Sequence, residues 1–320
     1  VAFAAAVLAL APAAASPAAE KVSVQLIWVH QAQFAGVYLA QDLGLFRQAG
    51  LEVEILPGGP GVEPLHRLLH GDADFALAWL SGGLQLRSQG YPVVHLAQVV
   101  QRSALLLVSL KGRDITRPAD LAGRKVGLWG GHFNLQPRAL FAREGISVQE
   151  IPQNASMSPL LRRAVDAAAA MRYNEYHQLI QAGLDPEEIQ VLDLARLGLN
   201  FPEDGIYTLA QTWESRPGVC RRFVRAVLEG WRQSTLQPEL ALAAVMERVD
   251  AARLASNPAH QRWMLDTMHQ LVTHRVGPGG LGRLSAQDLA LVNRVLVEQG
   301  LMDLPVDPVG FVVPAWRPQP

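Results

Sequence analysis

Trp28, His30, Gln31, Gln33, Phe34 and Tyr38 fall close together near the start of the chain, in VSVQLIWVHQAQFAGVYL. Aromatic faces stack on flat rings, and glutamine amides both donate and accept hydrogen bonds, so this run suits a polar heteroaromatic ligand. Trp79 ends DFALAW, Trp129 ends RKVGLW and Tyr173 follows AAAAMR, each where an apolar run stops. Glu175, in Tyr173-Asn174-Glu175, only accepts hydrogen bonds when ionised. It fits a ligand edge bearing N–H groups, such as an aminopyrimidine, with Asn174 able to donate and accept beside it. Gly58-Gly59-Pro60-Gly61 and Gly130-Gly131 let backbone N–H groups approach a ligand closely. The candidate ligand-binding set is Trp28, Gln31, Phe34, Tyr38, Gly59, Trp79, Trp129, Gly130, Tyr173, Asn174, Glu175 and Asp204, the last opening DGIYTLA.

Plainer readings stand beside these. Phe34 and Tyr38, four apart on a helix, also suit a packing pair in a core. Asn174 suits a helix cap, and the glycines suit tight turns alone. His66 and His70 lack a Glu-containing zincin pattern, so they read as a solvated helix face rather than a metal site. There is no Gly-x-Ser-x-Gly elbow and no phosphate loop ending in Gly-Lys-Ser/Thr. Cys220 is the only cysteine, which removes an internal disulfide and a cysteine-based zinc site. Its spacing from Phe223 and Val227 puts it on an apolar stripe, where an inert buried thiol is expected. No cofactor and no metal are expected.

The chain has 320 residues, 49% of them hydrophobic and 18% charged, with a net charge of −1. That length allows two ordinary domains, and that charge offers no basic face to nucleic acid or an anionic membrane. Val1 to Ala11 is an apolar run too short for a membrane-spanning helix, and Ala13 and Ala15 have signal-peptidase spacing. A secretory leader over residues 1–19, cleaved between Ser16 and Lys21, is expected. No cysteine follows it for lipid attachment, and no second apolar run approaches spanning length.

The elements that must position the candidate residues alternate. VSVQLIW, LEVEIL, DFALAW and PVVHLAQVV read as strands, with helices FAGVYLAQDLG, VEPLHRLLHG and SGGLQLRSQG between them. This is the order of βαβ units in a mainly parallel sheet. A second series holds ALLLVSL, RKVGLWG, SVQEIP, DAAAAMRY and IQVLDL, and DGIYTLA then leads into a long helical region from Pro217 to about Gln299. Two such series suggest two lobes. Ligands bind beyond the carboxyl ends of strands in such sheets, which is where Trp28, Trp79, Trp129 and Tyr173 fall.

The stretch Val22 to Gly61 resembles the opening of periplasmic solute-binding proteins for thiamine-pyrimidine precursors and, more distantly, sulfonates. GGPGVEPLHRLLHGDADFALAW, KVGLWGG, AAAAMRYNE and IYTLAQTWESRPGVCRRFVRAVLEGW extend the resemblance over most of the chain, and beyond about Asp250 the sequence is generic helix. The resemblance implies an α/β, two-lobed type 2 periplasmic binding protein, each lobe a mainly parallel sheet flanked by helices. Lobe I would hold residues 20–104 and 207–320, and lobe II residues 105–206, with crossings near Ser103–Leu107 and Gly205–Leu209. It also implies a periplasmic monomer that closes on a small heteroaromatic solute, such as a hydroxymethyl- or formylaminopyrimidine, and delivers it to an ABC transporter permease. Relatives that bind riboflavin or other ring compounds leave the ligand open. A sensor ectodomain is an alternative role, against which the Pro-rich ending GFVVPAWRPQP, with no following span, favours a free-standing protein. The pyrimidine synthases of the same fold need a Schiff-base lysine and a cysteine-rich iron motif. Lys21, Lys111 and Lys125 fall away from cleft-facing strand ends and there is one cysteine, so no enzyme is expected.

Overall fold

The computed structural model describes residues 19–274, 276, 280–313 and 315–316. The expected leader with its Ala13 and Ala15, and the end of the Pro-rich tail, lie outside the described residues.

Strands β1 (Glu20–Gln25), β2 (Leu51–Leu56), β3 (Phe75–Ala78), β4 (Val93–Gln98) and β10 (Gly205–Leu209) form one sheet, in the order β2-β1-β3-β10-β4. Strands β5 (Leu105–Leu110), β6 (Lys125–Leu128), β7 (Gln149–Pro152), β8 (Ala167–Met171) and β9 (Ile189–Asp193) form the other, in the order β7-β6-β8-β5-β9. In each sheet the first three strands run parallel, and β10 or β5 enters antiparallel beside the third. β3, β5 and β8 (FALA, LLLVSL and AAAAM) are buried along their whole length, as sheets covered on both faces require. The α/β, two-lobed class expected from the sequence is the fold found.

The chain passes between sheets from Gln98 to Leu105 and again from Asp193 to Gly205. Side chains stitch the two passages together. Ser103 N donates to Asn200 Oδ1 at 2.9 Å, Asn200 Nδ2 to Gln101 O at 3.2 Å, and Ala104 N to Glu203 Oε1 at 2.6 Å. The Gln98 amide reaches across to the Glu203 carbonyl.

The long helical region divides into Pro217–Leu236, Pro238–Ala251, Pro258–Val272 and Ala286–Glu298. Three of these begin on a proline, which suits a first turn and cannot continue a preceding helix. Pro217–Leu236 buries Val219, Phe223, Val224, Val227 and Trp231 and packs along the helix Ala35–Asp42, with Phe223 stacked on Phe75 at 4.0 Å. The contact is close because glycines face each other. A Cβ on Gly230 would stand 2.0 Å from Gly36 O, and one on Gly36 would stand 2.3 Å from Trp231 Cγ. Cys220 lies on this stripe, and burial pushes its thiol up to about 11. His66 and His70 are exposed. Among the described residues no helix is long and apolar enough to cross a membrane.

Candidate ligand-binding site

The site begins where β1 stops. The Gln25 amide donates to Leu26 O at 3.0 Å and Pro57 O at 2.9 Å, tying the ends of β1 and β2 together. Gly58 N then donates to Trp28 O at 2.9 Å. The turn fits only without side chains: a Cβ on Gly58 would meet Leu26 O at 2.4 Å, and Gly59 has φ of +147°. Trp28 is left half-buried beside this turn.

A polar group sits at the junction of the lobes. Gln31 Nε2 donates to Gln33 Oε1 at 2.6 Å, and Gln33 Nε2 to Asp204 Oδ2 at 2.8 Å. Tyr173, two residues past β8, lies within electrostatic reach of Asp204, Glu203 and Glu175, and burial with these acids raises its hydroxyl. Glu175 Oε2 accepts from Met171 N at 2.9 Å and its Oε1 from Asn174 Nδ2 at 2.9 Å. Burial pushes Glu175 up to about 7 and Asp204 up to about 6, and raises Glu203, because an ionised carboxylate is poorly solvated there. All three accept from neutral donors, while Arg102 and Arg172 pair instead with Asp193, at 2.8 and 3.0 Å. Asp204 Oδ1 and Glu203 Oε2 are buried and accept no hydrogen bond among the described residues. Such atoms are costly while unpaired, a cost that protonation of the raised carboxyls lessens.

A second, aromatic group joins the lobes. Trp79, following β3, meets Phe133 edge to face with centroids 4.8 Å apart, and His132 at 5.9 Å. Trp129, following β6, is half-buried, lies 6.4 Å from Phe133 and donates from Nε1 to Asn154 O at 3.1 Å. Gly130 is exposed at the start of the short Gly131–Asn134 turn that carries His132 and Phe133. A cavity of about 270 Å³ opens beside Trp79, lined also by Ile27, Glu63, His66, Gln85 and His132. A larger groove of about 760 Å³, lined by Leu284, Leu289, Val297 and Val306, holds none of the candidate residues.

Two further candidates lie deep in the core of the first lobe. Phe34 and Tyr38 are fully buried, in edge contact at 6.4 Å. The Tyr38 hydroxyl is hydrogen bonded to His30 Nδ1 at 2.9 Å, and Arg248 lies over its ring at 4.7 Å. These are the contacts expected of a packing pair. Asn174 does precede the helix Glu175–Gln181, but its side chain accepts no capping N–H from it.

Several residues at these positions stand outside the candidate set: Gln33, Glu203, His132, Phe133 and, on the helix Pro258–Val272, His260 and Trp263. Gln33 and the adjacent acids in Phe-Pro-Glu-Asp-Gly carried a polar signal. His260 and Trp263 carried none, since their helix lies beyond the resembling segments. Among the described residues no group of three or more His, Cys, Asp or Glu side chains is placed to hold a metal ion.

A model of the family described as NMT1/THI5 like matches residues 31–241. The riboflavin-binding protein RibY of Chloroflexus aurantiacus is 24% identical over 302 residues, covering 92% of this chain and 85% of that protein. The formylaminopyrimidine-binding protein of Halalkalibacterium halodurans is 25% identical over 271 residues, covering 82% and 81%. In fold, the chain is similar to the periplasmic aliphatic sulphonate binding protein SsuA of Escherichia coli. The TM-score is 0.73 at 17% identity, covering 95% of this chain and 94% of that one.

Proposed function

The chain belongs to the NMT1/THI5-like family, and from that premise we propose that it is a periplasmic solute-binding protein. It closes two lobes on a small heteroaromatic molecule bearing N–H donors and hands it to an ABC importer. In this reading residues 20–104 and 207–320 move as one body against 105–206, and a leader over 1–19 is removed on export. Trp28, Trp79, Trp129 and Tyr173 supply ring surfaces, Gly59 and Gly130 let backbone approach, and Gln31, Asn174, Glu175 and Asp204 orient the ligand.

The observation that carries the reading is the pair of buried carboxyl oxygens, Asp204 Oδ1 and Glu203 Oε2, near a buried Glu175. An ionised Asp204 without a second donor favours an N–H group, while burial keeps Glu203 protonated and able to donate. A 4-aminopyrimidine presents that combination, an amino group beside a ring nitrogen acceptor. The imide edge of riboflavin flanks its single N–H with two carbonyl oxygens, one of which an ionised Asp204 would repel. A thiamine-pyrimidine precursor is therefore preferred to riboflavin, although relatives named for each exist.

Binding rather than catalysis fits the side chains present. Lys21, Lys111 and Lys125 are exposed, at strand beginnings or after β5, and a Schiff-base lysine works desolvated. Calorimetric titration with 4-amino-5-hydroxymethyl-2-methylpyrimidine and riboflavin tests the proposal. Tighter binding of the pyrimidine supports it, and binding of riboflavin alone reverses the ligand assignment.

A further inference from the structure

The lobe I helix Pro258–Val272 grips the Arg172–Gln178 segment of lobe II. Trp263 Nε1 donates to Arg172 O at 3.0 Å, and the indole stacks on His177, centroids 4.8 Å apart and planes at 8°. His260 makes two contacts: its Nδ1 lies 2.9 Å from His177 Nδ1, and its Nε2 lies 2.9 Å from Asn174 Oδ1.

The chemistry of the partners orders the hydrogens. Asn174 Nδ2 donates to Glu175 Oε1, so the oxygen of that amide faces His260. An amide oxygen only accepts, so His260 Nε2 carries the hydrogen and, in the neutral ring, Nδ1 is bare. His177 Nδ1–H then donates to it. The direction runs from His177 to His260, to Asn174, to Glu175. Asn174 heads a helix without capping it, and its amide serves this chain of hydrogen bonds instead.

We infer that His260 is a positioning residue: from lobe I it orients Asn174, and through it the Glu175 carboxylate of lobe II, once the lobes have closed. The inference rests on the ligand-binding reading above. It makes closure complete the acceptor that the ligand meets, so its signature is in release rather than in folding.

Burial and the neighbouring His177 hold His260 down at about 4, and burial lowers His177. The other charged groups around the pair are Glu175, Arg172, paired with Asp193, and Arg262, paired with Glu239. A group whose value is lowered on closing favours the closed form above its ordinary 6.5, and that preference is lost as pH falls toward 4. Glu175 titrates in an overlapping range, so the variants must separate the two.

The test measures binding and stopped-flow release of 4-amino-5-hydroxymethyl-2-methylpyrimidine at pH 7.5 and 5.5, on the full chain. His260→Leu is expected to release the probe about tenfold faster while melting like the parent. His260→Gln, whose amide reproduces the Nε2–H donor, should stay within about threefold of the parent at pH 7.5. Acidification to pH 5.5 should weaken the parent by about tenfold more than His260→Gln, which has no titrating ring. Parent-like release from His260→Leu, or parallel weakening of the parent and His260→Gln in acid, overturns the inference alone. If His260→Leu does not fold, the comparison of the parent with His260→Gln decides. A parent that does not bind the probe overturns the functional reading and this inference with it.

Discussion

Gln33 donates to Asp204 Oδ2 at 2.8 Å, joining the segment after the first strand to the residue that opens the last, while the other Asp204 oxygen receives nothing among the described residues. A carboxyl half satisfied in this way is raised to about 6 by burial, and in the proposed reading the ligand supplies the second donor. Asp204→Asn removes the charge that such a donor would meet. Affinity for 4-amino-5-hydroxymethyl-2-methylpyrimidine should fall by about 1–3 kcal/mol, read by calorimetry.

The same burial gives a stability signature. Glu175 goes from its ordinary 4.5 to about 7, so the folded protein binds more protons than the unfolded chain between those values. The charge penalty is absent below pH 4.5 and grows as pH rises toward 7. Relative to the parent, ligand-free Glu175→Gln should therefore gain melting temperature between pH 5 and pH 8. A gap that stays constant over that range would remove the buried-carboxylate account. In binding, the same variant should weaken a probe with N–H donors at that edge more than one without them.

The ring contacts between lobes predict an effect on closure. Trp79 meets Phe133 at 4.8 Å, and edge-to-face pairs add about 0.5–1.5 kcal/mol beyond burial. Phe133→Ala should leave folding intact and reduce the compaction that saturating ligand produces in small-angle scattering. Trp28→Ala and Trp129→Ala should weaken binding by about 1–3 kcal/mol through lost stacking surface. Parent affinity in both would move the ring site elsewhere.

Two further outcomes concern the scaffold. Gly230→Ala places a methyl group against Gly36 O, and overpacking of this kind costs about 1–3 kcal/mol or more, visible as a lower melting temperature. Cys220, buried and raised to about 11, should resist thiol reagents in the native protein and react on unfolding.

The fold was legible because strands and helices alternate along the chain, an order that leaves few arrangements besides mainly parallel sheets. The positions of Trp129 and Glu175 were legible for the same reason, since strand ends are. The fate of Phe34 and Tyr38 was not: a pair four apart on a helix faces one side, and only the later helices enclose it, with Arg248 over the Tyr38 ring. Nor could the sequence bring His260 to Asn174, because that contact depends on how two lobes meet across 86 residues of chain.

The central claim is that the acid-lined junction receives a small heteroaromatic molecule through its N–H groups. Calorimetric titration of the full chain with 4-amino-5-hydroxymethyl-2-methylpyrimidine at neutral pH measures this most directly. The account predicts saturable binding of one molecule per chain, weakened in both Asp204→Asn and Glu175→Gln. Binding that neither substitution alters, or no binding by the parent, would contradict it.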